Sequence, residues 1–214
     1  MRRLLVALLI LAFAVPAFAG LNPGVRAFIS FRPNCPTPTY PTDPYVHSVV
    51  WTGEKTYNSF LCVDCFGNTL PPPDPALLGM RSIAMRWVTT ASDPAYPPDL
   101  MAALYYPVGA QVIGAPDQDK WVIAWPGCEP PNACGFIKVL RQGYYAYNPF
   151  WIDLLPNAVD GKKVVDCNFE SDQFCVLSNG AVGETPHPGD LGCTCPIPSA
   201  VEGASWGGIK ALYR

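Results

Sequence analysis

The stretch RSIAMRWVTT, residues 81–90, runs for ten positions without a glycine or a proline. Ile83, Met85 and Trp87 fall on one side of it if the chain is extended, because side chains of a strand alternate between its two faces. KWVIAW (120–125) repeats the pattern with Trp121, Ile123 and Trp125. Two strands with large apolar residues on a single face predict a core closed between two sheets. Similar runs of β-branched and aromatic residues stand at 25–31, 45–51, 56–63, 110–115, 136–141, 144–155, 162–167 and 173–177, separated by Pro, Gly, Asn and Asp. The chain carries 25 prolines, which sheets confine to edges and loops. PPDLMAAL (97–104) reads as a short helical turn. Many short strands with turns between them predict an all-β, two-sheet β-sandwich, with a β-barrel as the alternative architecture. There is no internal repeat.

The chain opens MRRLLVALLILAFAVPAFAG. Arg2 and Arg3 form a basic start, Leu4 to Val15 is apolar, and Pro16 breaks the N-terminal signal-peptide helix. Ala17-Phe18-Ala19 then offers the small residues that signal peptidase needs. This predicts a signal peptide over 1–19, cut between Ala19 and Gly20, and hence a secreted or cell-surface protein. The apolar run is short for a membrane span of about 20 residues, and no second one follows, so no membrane span is expected after cleavage. Losing two arginines from 14 basic residues leaves 12 against 17 acidic ones, a formal charge of −5. That balance argues against a nucleic-acid partner, which favours a basic stripe.

Nine cysteines lie in the exported part, where oxidising conditions make disulfides the default and an odd count leaves at least one thiol free or paired between chains. Cys62-x-x-Cys65 is followed by Gly67, Asn68 and three prolines, so it cannot open a helix as a redox pair would. Zinc would need a second Cys-x-x-Cys, which is missing, and His47 and His187 stand at no ligand spacing. No metal and no cofactor is expected. Structural disulfides remain. Along one strand the Cα atoms of Cys62 and Cys65 are about 10 Å apart, beyond the roughly 7 Å a bridge tolerates, so different partners are expected for each, the alternative being a strand that curls at Phe66-Gly67 and closes a local bridge. Cys128 and Cys134 flank a proline-rich turn, and Cys167 and Cys175 flank a polar one; local bridges are expected in both. Cys193 and Cys195 are expected to reach back to the body of the domain, and Cys35 to be the odd thiol.

Residues 20–180 form the expected sandwich domain. From 181 to 200 the chain is rich in Gly and Pro, and reads as a linker, loop-rich and pinned by disulfides. It is followed by a C-terminal tail at 201–214. Residues 83–113, IAMRWVTTASDPAYPPDLMAALYYPVGAQVI, resemble the early part of cohesin-like β-sandwich domains. That resemblance implies a cohesin/immunoglobulin-like sandwich built for binding; cohesins bind dockerin modules, and this chain departs from them in its cysteine density. The ending VEGASWGGIKALYR (201–214) is similar to tails with a Trp-Gly-x-x-Lys-x-Leu-Tyr-Arg pattern on otherwise uncharacterised secreted bacterial proteins. VVDCNFESDQFCVLSNGAVG (164–183) is similar to a segment of the same group. The likeness implies sorting, processing or surface attachment for the tail, the alternative being a tail that packs on the domain.

Catalytic patterns are thin. GASWG (203–207) matches a nucleophile elbow, but seven residues follow it, none of them Asp, Glu or His, and the elbow needs both an acid and a histidine downstream. Asp117 with Asp119, and Glu170 with Asp172, are the acid pairs that could serve a polysaccharide hydrolase; both sit in turns, where acids are ordinarily solvated. The richer stretch is GYYAYNPFWIDLL (143–155). Tyr145 and Tyr147 share a face, and Trp151 lies beyond a bulge expected at Asn148-Pro149. One face of such a strand must be core. The other offers Tyr145, Tyr147 and Trp151 as a shelf for stacking on a ligand. The expected function is therefore a binding or interaction module without catalytic activity, its partner a protein or a glycan at the cell surface. The alternatives are an extracellular polysaccharide hydrolase and a structural surface component carried by its tail.

Overall fold

A computed structural model describes residues 24–34, 45–66, 78–106, 108–116, 118 and 120–195. The signal peptide, Cys35, Asp117, Asp119 and the segment from 196 to the C-terminus lie outside the described residues. Every regular element among the described residues is a strand: β1 Arg26–Ser30, β2 Ser48–Val49, β3 Lys55–Asp64, β4 Met80–Ala91, β5 Asp99–Leu100, β6 Leu104–Tyr105, β7 Gln111–Ile113, β8 Trp121–Glu129, β9 Phe136–Ala146, β10 Phe150–Leu155, β11 Lys163–Asp166, β12 Ser171–Gln173, β13 Cys175–Ser178 and β14 Gly180–Val182. They form the expected two-sheet sandwich. The first sheet runs β13-β1-β3-β9-β5, with β6 also on β9. The second runs β12-β11-β4-β10-β14-β2, with β8 on β4 and β7 on β8.

The 12 residues of β4 organise the second sheet. β11 pairs with its first half and β10 with its second, while β8 pairs along 80–85. The two tryptophan-bearing faces read from sequence are therefore neighbours in one sheet, with Ile83 opposite Ile123 and Met85 opposite Trp121. Both point inward: Trp87 and Trp121 meet edge to face at 6.3 Å, each buried. From the facing sheet comes Tyr144, fully buried, whose hydroxyl accepts a 2.7 Å bond from Trp87 Nε1 and has Ser59 Oγ at 3.4 Å. Tyr144→Phe would strand the Trp87 N–H in an apolar core, a cost of about 1–3 kcal/mol. Urea unfolding of that variant checks it; a change under half a kcal/mol would mean that the indole finds another acceptor.

The chain changes sheets at corners that periodicity does not reveal. Asn148-Pro149, expected as a bulge, carries the chain from β9 in the first sheet to β10 in the second. Asn148 fixes this corner, accepting from Ser92 Oγ at 3.1 Å and donating to Tyr96 O at 2.8 Å. Asn179 makes a second corner, taking the N–H of Leu154 and giving its own amide to Pro188 O. Gly180 follows, where the sheets approach so closely that a Cβ would sit 2.5 Å from Ile29 Cγ2. Residues 97–104 are not a helical turn. Asp99–Leu100 and Leu104–Tyr105 are two short strands along the edge of β9, and the Gln142 side chain spans the break by donating to Met101 O at 2.6 Å.

The corners also overturn the local disulfides. Cys128 ends β8 in the second sheet, whereas Cys134 leads into β9 in the first, so the segment between them crosses from sheet to sheet. Likewise Cys167 lies in the turn after β11, and Cys175 opens β13 in the other sheet. The pairs are instead Cys128–Cys167, Cys65–Cys195 and Cys175–Cys193, and Cys134 is bridged as well, but not to Cys128. In the first sheet Arg26 of β1 is registered with both Cys175 and Asp64. Cys193 and Cys195 therefore reach across the end of β1, one to β13 and the other to the residue after β3. Two cysteines so placed cannot satisfy each other, and the expectation that they reach back to the domain holds. Cys62, expected in a bridge, is a free thiol, buried between Phe28 and Phe136 on the outer side of the first sheet. Burial pushes its pKa far up, so the thiol is protonated and unreactive.

β14 crosses the boundary drawn at residue 180 and pairs with β10 and β2. The loop after it is pinned by its two cysteines and by Asp190. The Asp190 carboxylate accepts from Val176 N at 2.7 Å and from Lys162 Nζ. Burial works to raise the Asp190 pKa, but these two bonds outweigh it and hold it below the ordinary carboxylate value.

Candidate binding surface

Of the three aromatic residues expected to form one shelf, two stay together. Tyr145 leaves β9 on the outer face of the first sheet, opposite Thr56 of β3 and Asp99 of β5. Tyr147 follows two residues on, its ring 5.3 Å from that of Tyr145 and inclined at 69°. Each tyrosine is 39 % exposed, enough for a ligand to reach its ring. The Tyr147 hydroxyl donates to Asp99 Oδ2 at 2.6 Å, and this bond to a carboxylate raises the phenol's pKa.

Trp151 is on the opposite side of the molecule, because the corner at Asn148-Pro149 lies between it and the tyrosines. It projects from the outer face of β10, and its indole N–H donates to Thr185 O at 3.0 Å. The His187 ring stacks on it at 5.3 Å with 6° between the planes, and His187 Nδ1 in turn meets Asp153 at 3.0 Å. One face of Trp151 is thus already occupied by the protein itself.

The outer face of the first sheet has two halves. At one end Phe28, Cys62 and Phe136 are buried under Tyr45, His47, Phe60 and Leu177. Beside them Arg26 grips Asp64 through Nε at 2.9 Å and Nη2 at 2.7 Å, and Tyr45 donates to the same carboxylate. At the other end the face is open, and outward from β3 come Thr56, Asn58 and Phe60, with Tyr145, Gly143 and Arg141 opposite them on β9. The register then slips: Leu61 faces Leu140, but Cys62 faces Lys138. Val139 is the extra residue of a β-bulge, and it keeps Lys138 on the outer side. Met101 covers Gly143, where a Cβ would lie 3.2 Å from its own Cβ.

The two members of the acid pair that can be placed differ in burial, Glu170 being only half-buried. Asp172 is buried within β12, and Glu170 closes the turn after β11 by its backbone, its N–H donating to Asp166 Oδ1 at 2.9 Å. The two histidines, unplaced by spacing, line one shallow depression of about 620 Å³ together with Tyr45, Leu177 and Pro188. His47 Nδ1 lies 2.6 Å from Ile29 O, a group that can only accept, so that nitrogen carries the proton. Among the described residues no cluster of three or more His, Cys, Asp or Glu side chains could hold a metal ion, and no helix is long and apolar enough to cross a membrane.

No protein-family model and no curated protein matches the chain. Among solved structures it is similar to the solution structure of CaCohA2 from Clostridium acetobutylicum, with a TM-score of 0.39 and 11 % identity over 73 % of this chain and 89 % of that one. A likeness of that size says nothing about what this chain binds.

Proposed function

We propose that the chain is an exported binding module without catalytic activity, engaging a partner at the cell surface through the open half of the first sheet's outer face. The observation that carries this reading is the pair Tyr145 and Tyr147, large rings left exposed on a sheet whose opposite face is core. Rings of this kind combine apolar area with a polar tip and lose little freedom on binding. The scaffold beneath is rigid, with β9 hydrogen-bonded to β3 along 10 registered pairs. The signal-peptide pattern and the bridged cysteines support export, since such bridges persist in oxidising compartments.

The test uses exported protein on a glycan array and on surface extracts. The double variant Tyr145→Ala, Tyr147→Ala is expected to lose about tenfold or more in affinity, the loss of two ring contacts of about 1 kcal/mol each. Trp151→Ala, on the far side, is expected to bind as the parent does. Undiminished binding by the tyrosine variant, or turnover of a bound polysaccharide, would overturn the reading.

A further inference from the structure

We infer that the ligand of this surface is an acidic polysaccharide, with its anionic groups on Lys138 and Arg141 and its sugar rings against the neighbouring aromatic side chains. This rests on the reading just given and adds the ligand's chemical class. The basic side chains are partnered in two ways. Arg26 and Lys162 face the carboxylates of Asp64 and Asp190, and the neighbouring His187 ring lies against Asp153. Lys138 and Arg141 face only neutral groups, as do Lys55 over Tyr57 and Arg81 over Phe169, but Lys138 and Arg141 share the outer face of β9. Lys138 Nζ lies over the rings of Phe60, at 5.5 Å, and Tyr106, at 5.0 Å. Arg141 Nε donates to Asn58 Oδ1 at 3.1 Å. Of the nearby acids, Asp99 is engaged by Tyr147 and Asp64 by Arg26 and Tyr45, while Glu54 stands near Tyr147, at the other end of β3 from Lys138. A chain with 17 acidic residues against 14 basic ones thus keeps two half-exposed positive charges together on an open face with no carboxylate on either.

What remains free on these groups defines the ligand. With Nε engaged, the Arg141 guanidinium still presents its two terminal nitrogens, a fork that fits a carboxylate or a sulfate. The Lys138 ammonium keeps all three of its N–H donors, because a ring face attracts the charge without using them up. The Asn58 amide nitrogen adds a donor for a hydroxyl. The rings of Phe60, Tyr106 and Tyr145 supply apolar area on either side of the cations. An acidic peptide fits less well. An extended peptide docks by main-chain bonds along an open sheet edge, and here the edge of β9 is already taken by β5 and β6. A nucleic acid needs more cations than two to offset an acidic chain.

The experiment measures binding of the exported protein to polygalacturonate, to a sulfated dextran, to plain dextran and to polyglutamate, at low and high salt. Expected is binding to one or both anionic polysaccharides, weakened by salt because the cations are half-exposed, and at least tenfold tighter than binding to plain dextran or polyglutamate. Polygalacturonate and sulfated dextran distinguish carboxylate from sulfate. Lys138→Gln with Arg141→Gln is expected to lose about tenfold or more with an unchanged melting temperature, while Lys163→Gln on the other sheet changes nothing. Salt-insensitive binding to plain dextran that still needs Tyr145 and Tyr147 would overturn the acidic ligand and leave the binding surface standing. Preference for polyglutamate would overturn the glycan in the same way. Binding that ignores all four substitutions would overturn both.

Discussion

Replacing Asp64 by alanine is expected to remove about 3–5 kcal/mol of folding stability, the usual cost of leaving one member of a buried ion pair alone. Asp64 is the last residue of β3, with its side chain only 6 % exposed and that of Arg26 13 %. It accepts two parallel bonds from the Arg26 guanidinium and a third, at 2.8 Å, from the Tyr45 hydroxyl. The substitution leaves the Arg26 guanidinium without its carboxylate at the edge of the Phe28, Cys62 and Phe136 cluster. A companion variant with Arg26→Met and Asp64→Leu removes both charges, and is expected to recover most of the loss, since paired burial of apolar groups avoids the stranded charge. Urea unfolding measures both. A single variant within 1 kcal/mol of the parent would show that water reaches Arg26 and that the pair is not structural.

The second large effect concerns the bridge between Cys65 and Cys195. It closes 130 residues of chain, for which the chain-entropy model gives about 5 kcal/mol against the 2–4 kcal/mol that bridges commonly deliver. The double variant Cys65→Ser, Cys195→Ser is therefore expected to lose about 3–5 kcal/mol and roughly 10 °C in melting temperature. The bridge between Cys175 and Cys193, with a separation of 18, should cost less when removed, about 3 kcal/mol. If removing the short bridge proves the more damaging, stabilisation comes from the folded contacts of the loop, such as Asp190 on Val176 and Lys162, and not from the constraint on the unfolded chain.

The strands were legible because their signal is local. Ile83, Met85 and Trp87 alternate within five residues, and nothing beyond those residues is needed to see that they share a face. Which sheet a strand joins is a different kind of fact. YYAYNPFWIDLL looks like one interrupted strand, yet pairing in the first sheet stops at Ala146 and pairing in the second begins at Phe150. That single corner separates Trp151 from Tyr145 and Tyr147. The cysteines failed for the same reason. A short stretch between two of them looks like a turn whose ends meet, but both such stretches carry the chain across the core. The 97–104 segment read as helical because its apolar residues are close together; the open edge of β9 and the Gln142 amide hold it extended. Tyr145 and Tyr147 were found as an exposed pair because they alternate with buried Tyr144 and Ala146. Lys138 and Arg141 were missed because their placement depends on the bulge at Val139, a register slip against β3 with no mark in the local sequence.

Bridges between strands distant in sequence close the ends of the sheets, and the Cys62 thiol is sealed inside. Proteolysis of exported, unreduced protein followed by mass mapping tests this most directly. The expected result is linked peptides joining Cys65 to Cys195, Cys128 to Cys167 and Cys175 to Cys193, with Cys62 alkylated only after denaturant is added. A Cys128–Cys134 or Cys167–Cys175 peptide, or a Cys62 that reacts at once in the native protein, would contradict it.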